Sequence, residues 1–356
     1  MVIMLIDHAS MSLDGSHKLT AVDSARFPDA AMAALPGFDF FTRWIAHICA
    51  PTFVLLAGTA LALSVERRVA KGLDAWTIDK GTLIRGAIIA LLDPTLMSLG
   101  SGYWNIGVLA AIGLSMMSMA FLRRLNTSLM VGLALGWMVF GEAITGLVWH
   151  PPGNSSPVAA LLCANYGSPT LLIHYPFIPW LAVMMLGWAL GRHILNYNAD
   201  KTRVAPATLL CVAGVLSLVV FFIVRAGRGY GDMFLPRADG SWQQWLHVSK
   251  YPPSLTYYSL ELGLLGLCLA FLMKIEPRVG VRANGPLLVF GQTAMFYYLL
   301  HRLVLEIPAT YFGLRGIGNI STTYIVWALM LPPLYFTCRW YRTFKASHPD
   351  SFLKYF

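Results

Sequence analysis

Residues 41–64 read FTRWIAHICAPTFVLLAGTALALS. The run from Ile48 onward is apolar and long enough to cross a bilayer core, which takes about 20 residues of helix. Arg43 and His47 stand in its first turns, four residues apart and so on one helix face. Hydrocarbon penalises ionisable groups, so a cation and an imidazole at the mouth of a span read as a functional site by default. The alternative is an interfacial pair packed on lipid phosphate. A second ionisable pair precedes it: residues 1–6 are apolar and lead into Asp7-His8.

The rest of the chain fits this reading. It has 356 residues, 57% hydrophobic and 12% charged. A soluble domain carries about twice that charge. The apolar residues fall in blocks and not in the alternation a transmembrane strand needs, so the fold class is all-α, a polytopic transmembrane helix bundle forming one domain over 1–356. The net charge of +9 does not indicate nucleic acid, because the basic residues sit between the hydrophobic blocks. Five single cysteines without CxxC spacing argue against a zinc or disulfide framework, and no metal is expected. No cleavable signal peptide is expected, since Met1 opens into apolar sequence without a basic lead.

Ten spans are expected, at 1–8, 45–64, 83–99, 104–122, 127–149, 172–191, 205–224, 255–273, 286–305 and 320–338. The first is too short: it is a half-span or a truncated one. Arg67, Arg68, Lys71 and Lys80, then Arg123 and Arg124, then Arg192, Lys201 and Arg203, then Lys274, Arg278 and Arg282, then Arg339, Arg342, Lys345 and Lys354 all fall in alternate loops. That side is expected to be cytoplasmic, with the C-terminus there and the long loops outward. Asp7, His8, Arg43, His47, Asp93, His150, His174, Lys250, His301 and Arg302 then gather at the outer ends of spans. Glu142 lies about two turns inside the fifth span. His17, His193, His247 and His348 read as ordinary loop residues.

Asp7-His8 is the leading candidate for general base work, because a carboxylate beside an imidazole supports the imidazolium that proton abstraction leaves. Adjacent helix residues point about 100° apart, so Asp7 either supports His8 or pairs with Arg43. Asp93 and Glu142 are costly to bury, and they either face an aqueous cavity or pair with Arg43, Lys250 or Arg302. His301-Arg302 follows the aromatic run Phe296-Tyr297-Tyr298 and is either part of the site or an interfacial cap. Lys250 leads into Pro252-Pro253, a stiff start to the eighth span, and reads as a ligand for an acidic group. Gly187 and Gly191 have the spacing of close helix packing. Arg67, Arg68, Arg85, Arg123 and Arg124 are candidates for the phosphates of a nucleotide-like donor, although the positive-inside rule explains them equally well.

Several blocks carry a resemblance. MVIMLIDHAS, FFTRWIAHICAPTFVLLAGTALAL, IGVLAAIGLSMMSMAFL, HYPFIPWLAVMMLGWALGR, SKYPPSLTYYSLELG, PLLVFGQTAMFYYLLH and CRWYRTFKASHP run in order along nearly the whole chain. They resemble the bacterial branch of the heparan-α-glucosaminide N-acetyltransferase catalytic-domain family, also catalogued as DUF1624. The resemblance implies a bundle that moves acetyl groups from cytoplasmic acetyl-CoA to a substrate across the membrane. In the animal enzyme the acceptor is the amine of a terminal glucosamine, and a non-cytoplasmic histidine is central. That histidine precedes the APTFVLLAG-like block, where this chain has Gly37. Asp7-His8 fits the bacterial pattern instead and points to His8. The Arg-Asp-Arg-Gly type segment usual before the family's first span is absent.

The resulting expectation is an acyltransferase of the bacterial cytoplasmic (inner) membrane. It would acetylate an amino or hydroxyl group of an extracytoplasmic sugar or envelope glycan, with acetyl-CoA as co-substrate. His8 would act as base with Asp7 in support and His47 as an alternative base, while Arg43, Lys250 or Arg302 would stabilise an oxyanion. Expected partners are the lipid bilayer and the glycan acceptor, with a homodimer left open. The rival readings are a proton-coupled transporter relaying through Glu142, Asp93 and the histidines, and a non-catalytic scaffold of the same family.

Overall fold

The computed structural model describes residues 1–15, 32, 35–99 and 102–355, so His17 lies outside the described residues. The chain is overwhelmingly helical. The helices are α1 (Val2–Leu13), α2 (Gly37–Trp44), α3 (Cys49–Ala70), α4 (Ala75–Leu92), α5 (Val108–Leu122), α6 (Thr127–Gly146) and α7 (Pro157–Leu162). They continue as α8 (Phe177–Ala199), α9 (Pro206–Gly227), α10 (Trp242–Leu246), α11 (Leu255–Val279), α12 (Pro286–Gln292), α13 (Ala294–Tyr311) and α14 (Ile320–Ser347). A 3-10 turn, Ile45–Ile48, joins α2 to α3.

Polar residues mark several starts. Asn126, Ser254 and Asn319 accept hydrogen bonds from the amides of Leu129, Tyr257 and Thr322 at 2.7, 2.9 and 3.1 Å, satisfying donors that a helix start leaves without partners. Asp74 does the same for Thr77 at the head of α4.

Each of the ten stretches expected to span carries a helix. Among the described residues six helical segments are long and apolar enough to cross a membrane: 37–70, 75–98, 127–146, 177–199, 206–227 and 255–279. A seventh is added if α12 and α13, bent by 92° at Thr293, form one broken span. The chain is thus a helical membrane protein. The expected span 286–305 is the clearest difference, since its helix breaks where Gly291-Gln292-Thr293 interrupts the apolar run.

Small residues set the closest approach in the bundle. A Cβ on Gly187 of α8 would lie 2.0 Å from the Leu55 carbonyl of α3, and one on Gly58 would lie 2.2 Å from the Met184 carbonyl. Thr59 donates across the same contact to the Gly187 carbonyl at 2.9 Å. Close backbone packing with polar cross-links is how helices hold together where lipid removes the hydrophobic drive.

Two hydrophobic cores result. The larger joins α3, α4, α5, α6, α8 and α11 around Trp180, Trp188 and Tyr257. The smaller joins α1, α12, α13 and α14 around Leu5, Phe290 and Tyr297. Phe53 and Tyr298 border both. At the end of the bundle where α3 and α8 begin, three short strands cover it. β1 (Trp104–Ile106) pairs in parallel with β3 (Leu171–Ile173), and β2 (Tyr166–Gly167) pairs antiparallel with β3. Only β2 lies in a stretch read as loop: β1 falls inside the expected span 104–122 and β3 at the start of 172–191, so those helices begin later than expected, at Val108 and Phe177.

Candidate active site

α1 packs on α13 and α14 and is tied there by Trp327, whose Nε1 donates to the Val2 carbonyl at 3.0 Å. This brings His8 against His301. His8 Nδ1 and His301 Nε2 are 2.6 Å apart, and the two ring planes differ by only 8°. His301 Nδ1 lies 2.6 Å from the Tyr297 carbonyl one turn earlier. A carbonyl only accepts, so His301 carries its proton on Nδ1 and, when neutral, presents Nε2 as an acceptor. His8 must then donate from Nδ1, which makes Nε2 its basic nitrogen. Tyr298 sets its ring edge-on to both imidazoles, at 5.8 Å from each.

Asp7, one residue before, lies within the field of three cations: Lys250, Arg43 and Arg302. Arg43 ends α2, and His47 sits in the 3-10 turn; both are buried. Tyr257 of α11 donates to the His47 carbonyl at 3.0 Å, and His47 Nδ1 has no hydrogen-bond partner among the described residues.

Lys250 is the hub of the arrangement. It is 6% exposed, and its ammonium lies over the rings of Tyr251 and Tyr175 at 5.2 and 6.0 Å. Those two hydroxyls are 3.1 Å apart. The charge of Lys250 also acts on His47, His174 and Glu261. The turn carrying Lys250 is closed by Ser249, whose hydroxyl donates to the Pro252 carbonyl at 2.9 Å. His174, delivered by β3 just before α8, packs on Tyr175 and Tyr251. Burial, then the charges of Lys250 and Arg302, push its pKa down to about 3.

Other candidates take different places. Asp93 accepts from the amides of Gly107 and Ala110 at 3.0 and 2.7 Å and so holds the start of α5. Glu142 accepts from Gly231 and Met233 at 2.6 and 3.0 Å and braces the loop after α9. Neither makes the expected ion pair with Arg43, Lys250 or Arg302 among these contacts. Backbone amides bind them instead, and such hydrogen bonds favour the charged carboxylate. Arg302 pairs with Glu306 at 3.1 Å, and Glu306 is also bound by Arg315.

Arg67, Arg68, Arg85 and Arg123 are not part of this cluster. Arg67 and Arg68 end α3, roughly 30 Å along the helix from the site. Arg67 donates to the Leu63 carbonyl at 3.2 Å, and Arg123 and Arg124 both bind Asp79, the former at 2.7 Å.

The sequence reading missed Glu261. It is 1% exposed in α11, and its Oε1 has no hydrogen-bond partner among the described residues. It lies one turn beyond Tyr257, and a lone acid in an apolar span was the signal that marked it. Also missed was the fully buried pair of Arg225 and Asp232, 2.8 Å apart, which anchors the loop ahead of Lys250. Arg225 donates in addition to the carbonyls of Leu235, Gln244, Trp245 and His247. No group of three or more potential metal ligands occurs among the described residues.

A polytopic helical membrane protein with a paired histidine and a buried lysine at one end of its bundle is the class that fold and site define. The chain belongs to the family described as heparan-alpha-glucosaminide N-acetyltransferase, catalytic, which it matches over residues 25–225. No curated protein matches it. The matched stretch contains Arg43, His47, Asp93, Glu142 and His174, while His8, Lys250, Glu261 and His301 lie outside it.

Proposed function

We propose that the protein is a membrane acetyltransferase that moves the acetyl group of acetyl-CoA to an amino or hydroxyl group of a sugar or envelope glycan on the other side of a bacterial cytoplasmic membrane. The observation that carries this reading is the His8–His301 pair, next to an Asp7 on which Lys250 acts, in a chain of an N-acetyltransferase family. His8 Nε2 takes the proton of the acceptor as its nitrogen or oxygen bonds to the acetyl carbon. His301 holds the His8 tautomer from behind, and Asp7 offsets the imidazolium charge. Lys250, with Arg43, faces the oxyanion of the tetrahedral intermediate; as it collapses and the carbon–sulfur bond breaks, His8 Nε2 gives its proton to the leaving sulfur and coenzyme A departs as the thiol. The basic ends of α3 and α5 are the cytoplasmic face in this reading, and the sheet end is the acceptor face.

The reading is tested by free thiol release from acetyl-CoA by the purified protein with a panel of amino sugars. Acceptor-dependent release that falls at least about 100-fold in both His8→Ala and His301→Ala fits the size of a general-base effect. Full release in both variants removes the assignment. The 92° break between α12 and α13 is the one feature that favours the transporter reading, since broken helices build ion sites in transporters. Proton-driven uptake by reconstituted protein without thiol release is the result that would select it. The relay imagined through Asp93 and Glu142 is weakened by the amides those carboxylates hold.

A further inference from the structure

A second contact joins α1 to α13 beside the histidine pair. Ser12, one turn after His8, is fully buried, and its hydroxyl donates to Glu306 Oε1 at 2.9 Å. His8 and Ser12 are four residues apart and so share a face of α1. That face meets α13 at His301 and then, further along, at Glu306. The two helices thus run side by side in the same direction, joined by two rungs.

Glu306 uses both of its oxygens. Oε1 also lies 3.1 Å from Arg302 Nη1, and Oε2 is bound by Arg315. Arg315 belongs to the turn after α13, where its Nε donates to the Thr310 hydroxyl at 2.9 Å. The same turn grips the end of α1. The Gly318 amide donates to the Leu13 carbonyl at 2.8 Å, and the Gly15 amide donates to the Gly318 carbonyl at 3.1 Å. A Cβ on Gly15 would lie 2.9 Å from the Gly316 carbonyl oxygen, so backbone meets backbone there. One largely buried carboxylate therefore ties together α1, its own helix and the turn that holds both, through charge-assisted hydrogen bonds. Trp327 fixes the first turn of α1 and Glu306 its last, and His8 lies between them.

The His8–His301 contact depends on this placement. At 2.6 Å it tolerates little movement, and a shift of about 1 Å takes it beyond hydrogen-bond range. Which ring nitrogen of a histidine carries the proton is set by the hydrogen bond the other atoms offer it. Without His301 in reach, the His8 proton is shared between Nδ1 and Nε2, and Nε2 is no longer reliably basic.

We propose that Glu306 is a positioning residue for the histidine pair: by holding Ser12 it sets the rotation and height of α1 at which His8 Nδ1 meets His301 Nε2. Its effect on turnover rests on the acetyl-transfer reading; its effect on the pair does not.

The test uses the full chain in detergent with isotope-labelled histidine. Nitrogen NMR reads which nitrogen of His8 is protonated, with His8→Gln to assign the signals. The proteins compared are wild type, Ser12→Ala, Ser12→Thr, Glu306→Ala and Asn319→Ala. Asn319→Ala removes the cap of α14, touches neither rung, and shows what lost stability alone does. The His8 proton is expected on Nδ1 in wild type, Ser12→Thr and Asn319→Ala, and divided between the nitrogens in Ser12→Ala and Glu306→Ala. In those two variants kcat for thiol release should fall about ten-fold or more, with KM within about two-fold of wild type. A proton that stays on Nδ1 in both, or that moves equally in Asn319→Ala, overturns the proposal. If Glu306→Ala does not fold, Ser12→Ala decides alone. A proton that moves as expected in a protein whose wild type releases no thiol leaves the positioning role standing and counts against acetyl transfer. An unmoved proton beside normal wild-type release does the reverse.

Discussion

His301 determines which nitrogen of His8 is basic. Its Nδ1 is committed to the Tyr297 carbonyl, so the proton between the rings belongs to His8 Nδ1. His301→Gln keeps an acceptor near His8 and is expected to retain more thiol release than His301→Ala, which removes it. Equal loss in the two would show that His301 matters only as packing. His174 makes a different prediction. It stays neutral in the fold down to about pH 3, whereas an unfolded histidine takes a proton near 6.5. Between those values the unfolded chain binds more protons, so stability falls as pH drops through that window. The melting temperature of wild type should fall more steeply below pH 6.5 than that of His174→Gln; parallel curves would contradict the assignment. At this scale the sequence was half legible. Asp7-His8 and His301-Arg302 stand out as ionisable pairs at span ends. Their meeting across 293 positions leaves no periodic trace, while Glu261, the one acid of its expected span, carried a signal that was passed over.

Among the helices, the contact between α3 and α8 is the one whose cause is plainest. Gly58 and Gly187 each face backbone of the other helix, so no side-chain rotation relieves an added group. Gly187→Leu is expected to lower the melting temperature by on the order of 5 °C or more, as overpacking costs 1–3 kcal/mol or above. Gly132→Ala, at a position with nothing within 4 Å, is expected to leave it unchanged. Equal melting temperatures for all three proteins would refute the close-approach argument. The Gly187-x-x-x-Gly191 spacing announced this contact. The 92° break at Thr293 coincides with Gly291-Gln292-Thr293, a short polar interruption that the reading of one span over 286–305 passed over. The small sheet was silent, since strands of two or three residues are too short for alternation to register.

For the whole molecule, orientation is the property the sequence speaks to most directly. Basic residues recur in alternate loops, and ion pairs join some of them: Arg123 and Arg124 to Asp79, and Arg192 to Glu66. On a cysteine-depleted background, Asn154→Cys should react with a membrane-impermeant maleimide added outside intact cells. Asn198→Cys should react only after permeabilisation; the reverse pattern would invert the topology and with it the sides assigned to donor and acceptor. The number of membrane crossings was less legible, because α1 and α5 are apolar but only 12 and 15 residues long.

The two hydrophobic cores have a consequence of their own. His8 and His301 stand on helices of the smaller core, while Lys250 leads into a helix of the larger. The histidine pair and Lys250 are therefore held relative to each other across the seam between the two cores, where Phe53 and Tyr298 pack on both. A short-chain detergent that wedges into this seam should silence the protein at concentrations where each half still melts cooperatively, and a long-chain lipid-like amphiphile should restore it.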